Sequence, residues 1–179
     1  MKKIALLFII LFSISVVAQN KKITKIGVVT FEASVASFEE IKATNQSVTC
    51  ILNTKTGEIA SLALIKGFRF KIALMEEHFN ENYIESDQFP KSTFKGTIQG
   101  FNPVLINDVK KDFKLTGTLQ LHGKSKIINT IATLRKVDNA IEIVTDFKVN
   151  AEDFNIKIPS IVSNKVSKII TINSVFLLK

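Results

Sequence analysis

The stretch Phe113-Lys114-Leu115-Thr116-Gly117-Thr118-Leu119-Gln120-Leu121 decides the fold class. Every odd position in it is apolar or glycine, and every even position is polar. Successive side chains of a β-strand point to opposite faces, so this alternation predicts a strand with one buried face. The same alternation recurs at 93–99 and 141–149 and, over a shorter run, at 68–72. The chain is therefore predicted to consist mainly of half-buried strands.

Other segments have apolar residues on both faces and predict more deeply buried strands. These segments are 27–33, 48–53, 57–64, 126–134 and 168–178. They bring the total to about nine strands. Turn-forming residues at 53–57 and 137–140 predict short hairpin connections, and short connections make neighbouring strands antiparallel.

One segment departs from the alternation. Met75, Phe79 and Tyr83 are spaced four apart among polar residues, which predicts a short amphipathic helix at about 74–83. The many strands of a single small domain leave exposed sheet edges, which a closed barrel or a two-sheet sandwich removes. We expect the barrel, an all-β fold of about eight or more antiparallel strands with the helix capping one end.

The N-terminus has the pattern of a secretory signal peptide. Lys2 and Lys3 precede an apolar run at 4–17, and Val16 and Ala18 occupy the -3 and -1 positions of a cleavage site. The run is shorter than the roughly 20 apolar residues of a membrane-spanning helix. We therefore predict a cleaved signal at 1–18, one domain at 19–179, and a periplasmic or secreted protein.

Composition limits the classes of partner. The single cysteine, Cys50, rules out an intrachain disulfide, and its apolar neighbours predict a buried thiol. A formal charge of +8 is spread along the chain and predicts a solvated surface, with transient contact to an anionic membrane surface as a further alternative. No nucleic-acid-binding motif is recognisable, so nucleic acid is not expected as a partner. A homodimer stays open.

Three segments resemble signatures of the YceI-like family. The first is Glu77-His78-Phe79-Asn80-Glu81-Asn82-Tyr83 with Phe89-Pro90-Lys91-Ser92-Thr93-Phe94, which resembles the family's His-aromatic and Phe-Pro blocks. The second is Gly117-Thr118-Leu119-Gln120-Leu121-His122-Gly123-Lys124-Ser125-Lys126, which is similar to its Gly-x-Leu…His-Gly block. The third is Asn150-Ala151-Glu152-Asp153-Phe154-Asn155-Ile156, which is similar to its Asp-Phe segment.

The resemblance implies an exported antiparallel barrel of lipocalin-like shape that holds a long apolar molecule, a polyisoprenoid or a fatty acyl lipid, in its lumen. It implies no other cofactor. The residues expected to line the lumen are Phe68, Phe70, Phe94, Ile98, Phe113, Leu115, Leu119, Leu121, Ile141, Ile143, Phe147 and Val149. Those expected at the barrel mouth, near a ligand headgroup, are His78, Phe79, Tyr83, His122, Lys124 and Lys126.

Catalytic chemistry is not indicated. His78 and His122 are the only histidines, and no Ser-His-Asp set, paired carboxylates or phosphate loop emerges from the spacing. The same histidines lack the further partners that a metal site needs. We expect a binding protein that sequesters or transports a hydrophobic molecule, with no catalytic or metal site.

Two other classes of protein share the alternating pattern. An outer-membrane barrel is disfavoured because the chain has no Trp and a single Tyr in place of aromatic girdles. A filled-core barrel that serves as an interaction or structural domain, with no lipid ligand, is the alternative to lipid binding. The two hypotheses differ in whether the barrel contains a cavity.

Overall fold

The computed structural model describes residues 20–179, so the predicted signal peptide at 1–18 lies outside the described residues. The strands are β1 (Lys21–Ser34), β2 (Lys42–Asn53), β3 (Glu58–Leu64), β4 (Arg69–Phe70), β5 (Lys91–Ile98), β6 (Lys111–Leu121), β7 (Lys124–Val137), β8 (Ala140–Asn150) and β9 (Val166–Leu178). Helix α1 spans Ala73–His78 and continues into a π-helical turn at Phe79–Tyr83. Short 3-10 turns lie at Ile65–Gly67, Pro103–Leu105, Ala151–Phe154 and Ser160–Val162.

Eight of these strands form a closed antiparallel barrel. The hydrogen-bonded order is β1-β9-β8-β7-β6-β5-β3-β2, and β1 also pairs with β2, which closes the ring. Strand β4 lies outside the ring and pairs with β2 through Ala43↔Phe70 and Thr44↔Arg69. The all-β, lipocalin-like barrel with one short helix that the sequence predicts is confirmed.

The two ends of the barrel differ in their connections. At one end, the segments 54–57 and 138–139 link neighbouring strands, and the connection 99–110 folds inward. Ile106 in that connection is buried, and Phe101 packs against the same core. At the other end, the longer segments 35–41, 65–90 and 151–165 surround the barrel opening. We call these the closed end and the open end.

The closed end is filled by aliphatic side chains from the inward faces of the strands. Leu52, Ile98, Leu134, Ile143 and Leu178 are each at most 1% exposed there. Side chains this deeply buried contribute about 1.5–3 kcal/mol each to the free energy of unfolding. This core therefore supplies much of the stability of the barrel.

The segment predicted as a strand at 68–72 is a strand for two residues only. It lies where β2 and β3 diverge, because their pairing extends only from Thr49↔Leu62 to Leu52↔Ile59. The chain between β3 and α1 therefore fills a gap in the barrel wall. The strand ends at Phe70 because the chain turns into α1 at Ala73 and returns to the barrel only at β5.

Asn45 stabilises this gap. Its side chain is completely buried, and its Nδ2 donates a hydrogen bond to the Leu64 carbonyl oxygen at 2.9 Å. Its Oδ1 accepts from the Ser47 backbone N–H and hydroxyl at 2.9 and 3.0 Å. A Cβ on Gly67 would lie 2.5 Å from Asn45 Nδ2, so only glycine permits this approach. The buried amide thus joins β2 to the end of β3.

The length and composition of each helix decide whether it could span a membrane. Within residues 20–179, no helix is both long enough and apolar enough to cross a membrane.

We expect the Cys50 thiol to be unreactive in the folded protein. Burial raises its pKa to about 12, so the thiolate that reacts with disulfide reagents is scarce at neutral pH. The measurement is the rate of reaction with 5,5′-dithiobis(2-nitrobenzoate) at pH 8, with and without denaturant. As a matched control, Cys50→Ala combined with Ile51→Cys moves the thiol to the neighbouring position, which is 36% exposed. Equal native-state rates for the wild type and this double variant would contradict the burial.

Candidate functional site

A cavity of about 580 Å³ occupies the half of the barrel nearest the open end. Its wall is formed by the inward faces of the strands together with the segments around the opening, and most of its side chains are apolar. The volume lies within the range of about 300–1,000 Å³ that is usual for small-molecule sites. The cavity is therefore the candidate binding site.

Most of the residues predicted to line a lumen lie in the cavity wall. They are Phe68, Phe70, Phe94, Leu115, Leu119, Leu121, Phe147 and Val149. Ile98, Phe113, Ile141 and Ile143 do not line it and belong to the closed-end core instead. Their inward orientation is as expected, but they lie too far toward the closed end to face the cavity. The cavity wall therefore does not include these four residues of the predicted lumen set.

Phe94 forms part of the wall because two glycines make space for its ring. Gly96 and Gly117 are opposite each other on β5 and β6. A Cβ on Gly117 would lie 2.4 Å from Phe94 Cζ, and one on Gly96 would lie 2.9 Å from Phe94 Cε1. The Phe94 ring therefore occupies the space that side chains at Gly96 and Gly117 would fill.

An aromatic cluster forms the wall beside the opening. Ring centroids of Phe31 and Phe79 are 5.1 Å apart, those of Phe70 and Phe79 are 5.2 Å apart, and those of Phe31 and Phe68 are 5.3 Å apart. Pairs at such separations are worth about 0.5–1.5 kcal/mol beyond the area they bury. The cluster holds α1 and β4 against β1.

An ion pair and a hydrogen bond also attach α1 to β4 beside the opening. Arg69 Nη1 lies 2.7 Å from Glu76 Oε1, and the Phe70 backbone N–H donates to Glu76 Oε2 at 3.1 Å. Both contacts link β4 to α1, so the helix is fixed to the strand through Glu76. His78, Phe79 and Tyr83, which were predicted for the mouth, all line the cavity from this helical segment.

Sequence reasoning missed the contributions of β1, β9 and the segment that precedes β9. The missed wall residues include Val29, Phe31, Phe154, Ile156, Ile158, Ile170, Ile172 and Phe176. On β9 the alternating positions 170, 172, 174 and 176 all line the cavity. A period of two is present there, but the outward residues Ile169, Val175 and Leu177 are also apolar and conceal it.

His122 is part of a structural junction and does not line the cavity. It occupies a two-residue turn with Gly123, where both have positive φ values of 48° and 70°. Its Nδ1 lies 2.8 Å from the Phe154 carbonyl oxygen and its Nε2 lies 2.9 Å from Glu85 Oε2. The Phe89 ring packs on the imidazole at 4.3 Å. The headgroup role predicted for His122 is therefore not supported by its position.

The hydrogen bonds of His122 link three segments of the chain. A carbonyl oxygen only accepts, so Nδ1 donates to Phe154. On the other side of the ring, Nε2 contacts the Glu85 carboxyl group. This junction ties the turn between β6 and β7 to the segment after α1 and to the 3-10 turn that carries Phe154.

Lys124 and Lys126 are exposed and lie outside the cavity wall. Lys126 Nζ pairs with Asp153 Oδ1 at 3.0 Å, on the outside of the same junction. The charged side chains that do line the cavity in the described part of the chain are Glu39 and Lys165, both in connections at the open end. Residues 20–179 contain no group of three His, Cys, Asp or Glu side chains that could hold a metal ion.

Comparison with known proteins gives one family match. The model of the YceI-like domain matches residues 11–176. No curated protein matches the sequence significantly.

Three solved structures illustrate the similarity in fold. A polyisoprenoid-binding domain from Saccharophagus degradans implicated in plant cell wall breakdown aligns with a TM-score of 0.78 and 13% identity, covering 89% of this chain and 98% of that one. BcnA of Burkholderia cenocepacia aligns at 0.70 and 13% identity, over 86% and 96% of the two chains. A YceI protein of Campylobacter jejuni aligns at 0.62 and 17%, over 81% and 88%. At identities this low, the structural similarity establishes a shared fold alone.

We expect His122→Asn to lower the free energy of unfolding by about 1–3 kcal/mol, because the buried Phe154 carbonyl loses its hydrogen bond. Asn tolerates the positive φ of the turn, so backbone strain does not contribute. The measurement is the urea-unfolding curve. Asp138→Asn is the matched control, since Asp138 has a φ of 52° in the two-residue turn between β7 and β8. Equal losses in the two variants would show that the turn, and not the junction, is responsible.

Proposed function

The chain belongs to the YceI-like domain family, and from this premise we propose that it is an exported protein that sequesters or transports a long-chain hydrophobic molecule in the barrel cavity. The ligand class is a polyisoprenoid or a fatty acyl derivative. The protein acts by binding and not by catalysis. The signal-peptide pattern at 1–18 supports export, and we propose that the protein works in the periplasm or outside the cell.

The observation that carries the proposal is an apolar cavity that is open at one end. Burying a methylene group is worth about 0.8 kcal/mol, so a chain of sixteen carbons gains roughly 13 kcal/mol before the costs of association. Such a gain requires few polar contacts. A wall composed mainly of Phe, Ile, Leu and Val side chains is consistent with recognition of a hydrocarbon chain by its length and shape.

The alternative function, a filled-core interaction domain, predicts a barrel packed throughout. The closed end is packed in this way, but the half of the barrel nearest the opening encloses about 580 Å³. The difference arises from the side chains at each level. Leu and Ile fill the closed end from all sides, whereas Thr145, Ser174, Ser61 and Ala63 occupy wall positions nearer the opening. The cavity favours lipid binding over the alternative.

We expect the exported protein, purified from its native host, to carry one long-chain species. The measurement is mass spectrometry of an organic extract, together with the intact mass of the protein. A near-stoichiometric lipid and a chain that begins at Gln19 are the expected results. Repeated extracts without lipid would favour the filled-core interaction domain, and a chain that retains residues 1–18 would contradict cleavage.

We expect Leu119→Trp to reduce the amount of bound lipid several-fold, because the indole projects from β6 into the cavity. Thr118→Trp is the matched control, since the neighbouring side chain points outward and is exposed. Both variants are purified in parallel, checked for folding by circular dichroism, and extracted. Equal lipid content in two folded variants would show that the ligand is not held beside Leu119.

A further inference from the structure

Two hydroxyl groups lie side by side in the cavity wall. Thr145 on β8 and Ser174 on β9 are paired directly across the sheet. Both residues line the cavity, and they are only 5% and 6% exposed. Their nearest inward neighbours on the two strands are Ile143, Phe147, Ile172 and Phe176. The pair is therefore a polar spot among apolar neighbours on β8 and β9.

Neither hydroxyl has a hydrogen-bond partner among the described residues. Both oxygens remain accessible from the cavity, since the fully buried side-chain atom without a partner in the described chain is Asn80 Oδ1. Valine and alanine would occupy the two positions without presenting a polar atom to the cavity. By comparison, the Ser92 hydroxyl in the same wall donates to the Gln120 carbonyl oxygen at 3.0 Å. The Thr145 and Ser174 hydroxyls are therefore available to a group that enters the cavity.

The pair lies deep in the cavity. Thr145 is five residues from Asn150, where β8 ends at the opening, which corresponds to about 17 Å along the strand. The next inward residue toward the closed end is Ile143, which is completely buried in the core. A group that reaches the two hydroxyls has therefore passed most of the length of the cavity.

The surroundings select an uncharged group. The charged residues of the described wall, Glu39 and Lys165, both lie in connections at the open end. A charge buried beside Thr145 and Ser174 would have no counter-ion, and an unpaired buried charge is far more costly than a neutral polar group. A hydroxyl can both donate and accept, so the pair suits an alcohol, carbonyl or amide oxygen.

We propose that Thr145 and Ser174 form a subsite for an uncharged oxygen-bearing group of the ligand, which enters polar end first and leaves its hydrocarbon chain toward the opening. This inference rests on the proposed function and adds the chemical class and orientation of the ligand. The ligand is then a neutral amphiphile. A charged amphiphile keeps its headgroup at the open end.

The test compares two probes with the same chain, 1-hexadecanol and hexadecane, with palmitate as a charged third. Each displaces the neutral fluorophore N-phenyl-1-naphthylamine from delipidated protein. The variants are Thr145→Val, Ser174→Ala and their combination, and Thr118→Val is the control on the outer surface of β6. Thermal unfolding of the ligand-free proteins is measured in parallel.

We expect the combined variant to bind 1-hexadecanol about tenfold more weakly than the wild type, which is the effect of one or two neutral hydrogen bonds. Affinity for hexadecane should be unchanged or higher, and affinity for palmitate unchanged. The ligand-free combined variant should unfold at the same or a higher temperature, because the two hydroxyls make no hydrogen bond within the described part of the protein. Thr118→Val should match the wild type throughout.

Two results would overturn the subsite. The first is a combined variant that loses no affinity for 1-hexadecanol, or that loses equal affinity for 1-hexadecanol and hexadecane. Either result would show that the two hydroxyls make no hydrogen bond to the ligand. The second is a marked fall in unfolding temperature, which would show that the hydroxyls are bonded within the protein. Failure of the proposed function is distinguishable from both, since the wild type would then bind neither probe nor the fluorophore.

Discussion

The pairing of β1 with β2 is the contact on which the rest of the structure depends. It joins the first strand to the last free edge of the sheet, so that eight strands form a closed ring. Their register shifts on either side of Gly27, where a Cβ would lie 2.4 Å from Phe176 Cδ1. Closure removes the exposed edges that would otherwise pair with other chains. It also fixes an interior just wide enough for side chains or one small ligand.

Within that interior, the connections at the two ends decide what is filled. At the closed end the segment 99–110 brings Ile106 into the core formed by Leu52, Leu134 and Leu178. At the open end, the helical segment and the long connection before β9 lie around the opening and add wall without filling the centre. The same alternating strands thus form a packed core at one level and a cavity at the next.

The sequence was sufficient to predict the eight barrel strands and the short helix, because a period of two or of about four depends only on local geometry. The strand predicted at 68–72 was the exception, since it is a strand for two residues only. The sequence assigned Phe113 and Leu119 to one face of β6 correctly. It could not tell where along the barrel axis each side chain lies, since alternation shows only which face of the strand a side chain occupies. Phe113 is in the closed-end core and Leu119 lines the cavity. Long connections at one end are the signal that would have separated them.

The role of His122 was hidden for a different reason. Its partners Glu85 and Phe154 are 37 and 32 residues away in the chain, so no local pattern predicts them. The contact is nonetheless important for the cavity, because Phe154 and the segment after α1 both border it. A histidine in a tight turn thus positions wall residues that it does not itself adjoin.

An open cavity is compatible with a stable fold because the two halves of the barrel contribute differently to stability. The closed-end core is packed by the protein's own side chains, so the stability that it contributes does not depend on a ligand. The half that encloses the cavity is less tightly packed, because positions 145 and 174 carry the small side chains of Thr and Ser. A ligand restores that packing and stabilises only the folded state, by an amount that grows with its concentration relative to its Kd. Ligand binding is therefore expected to stabilise the cavity half, while the closed-end core contributes the same stability whether or not a ligand is bound.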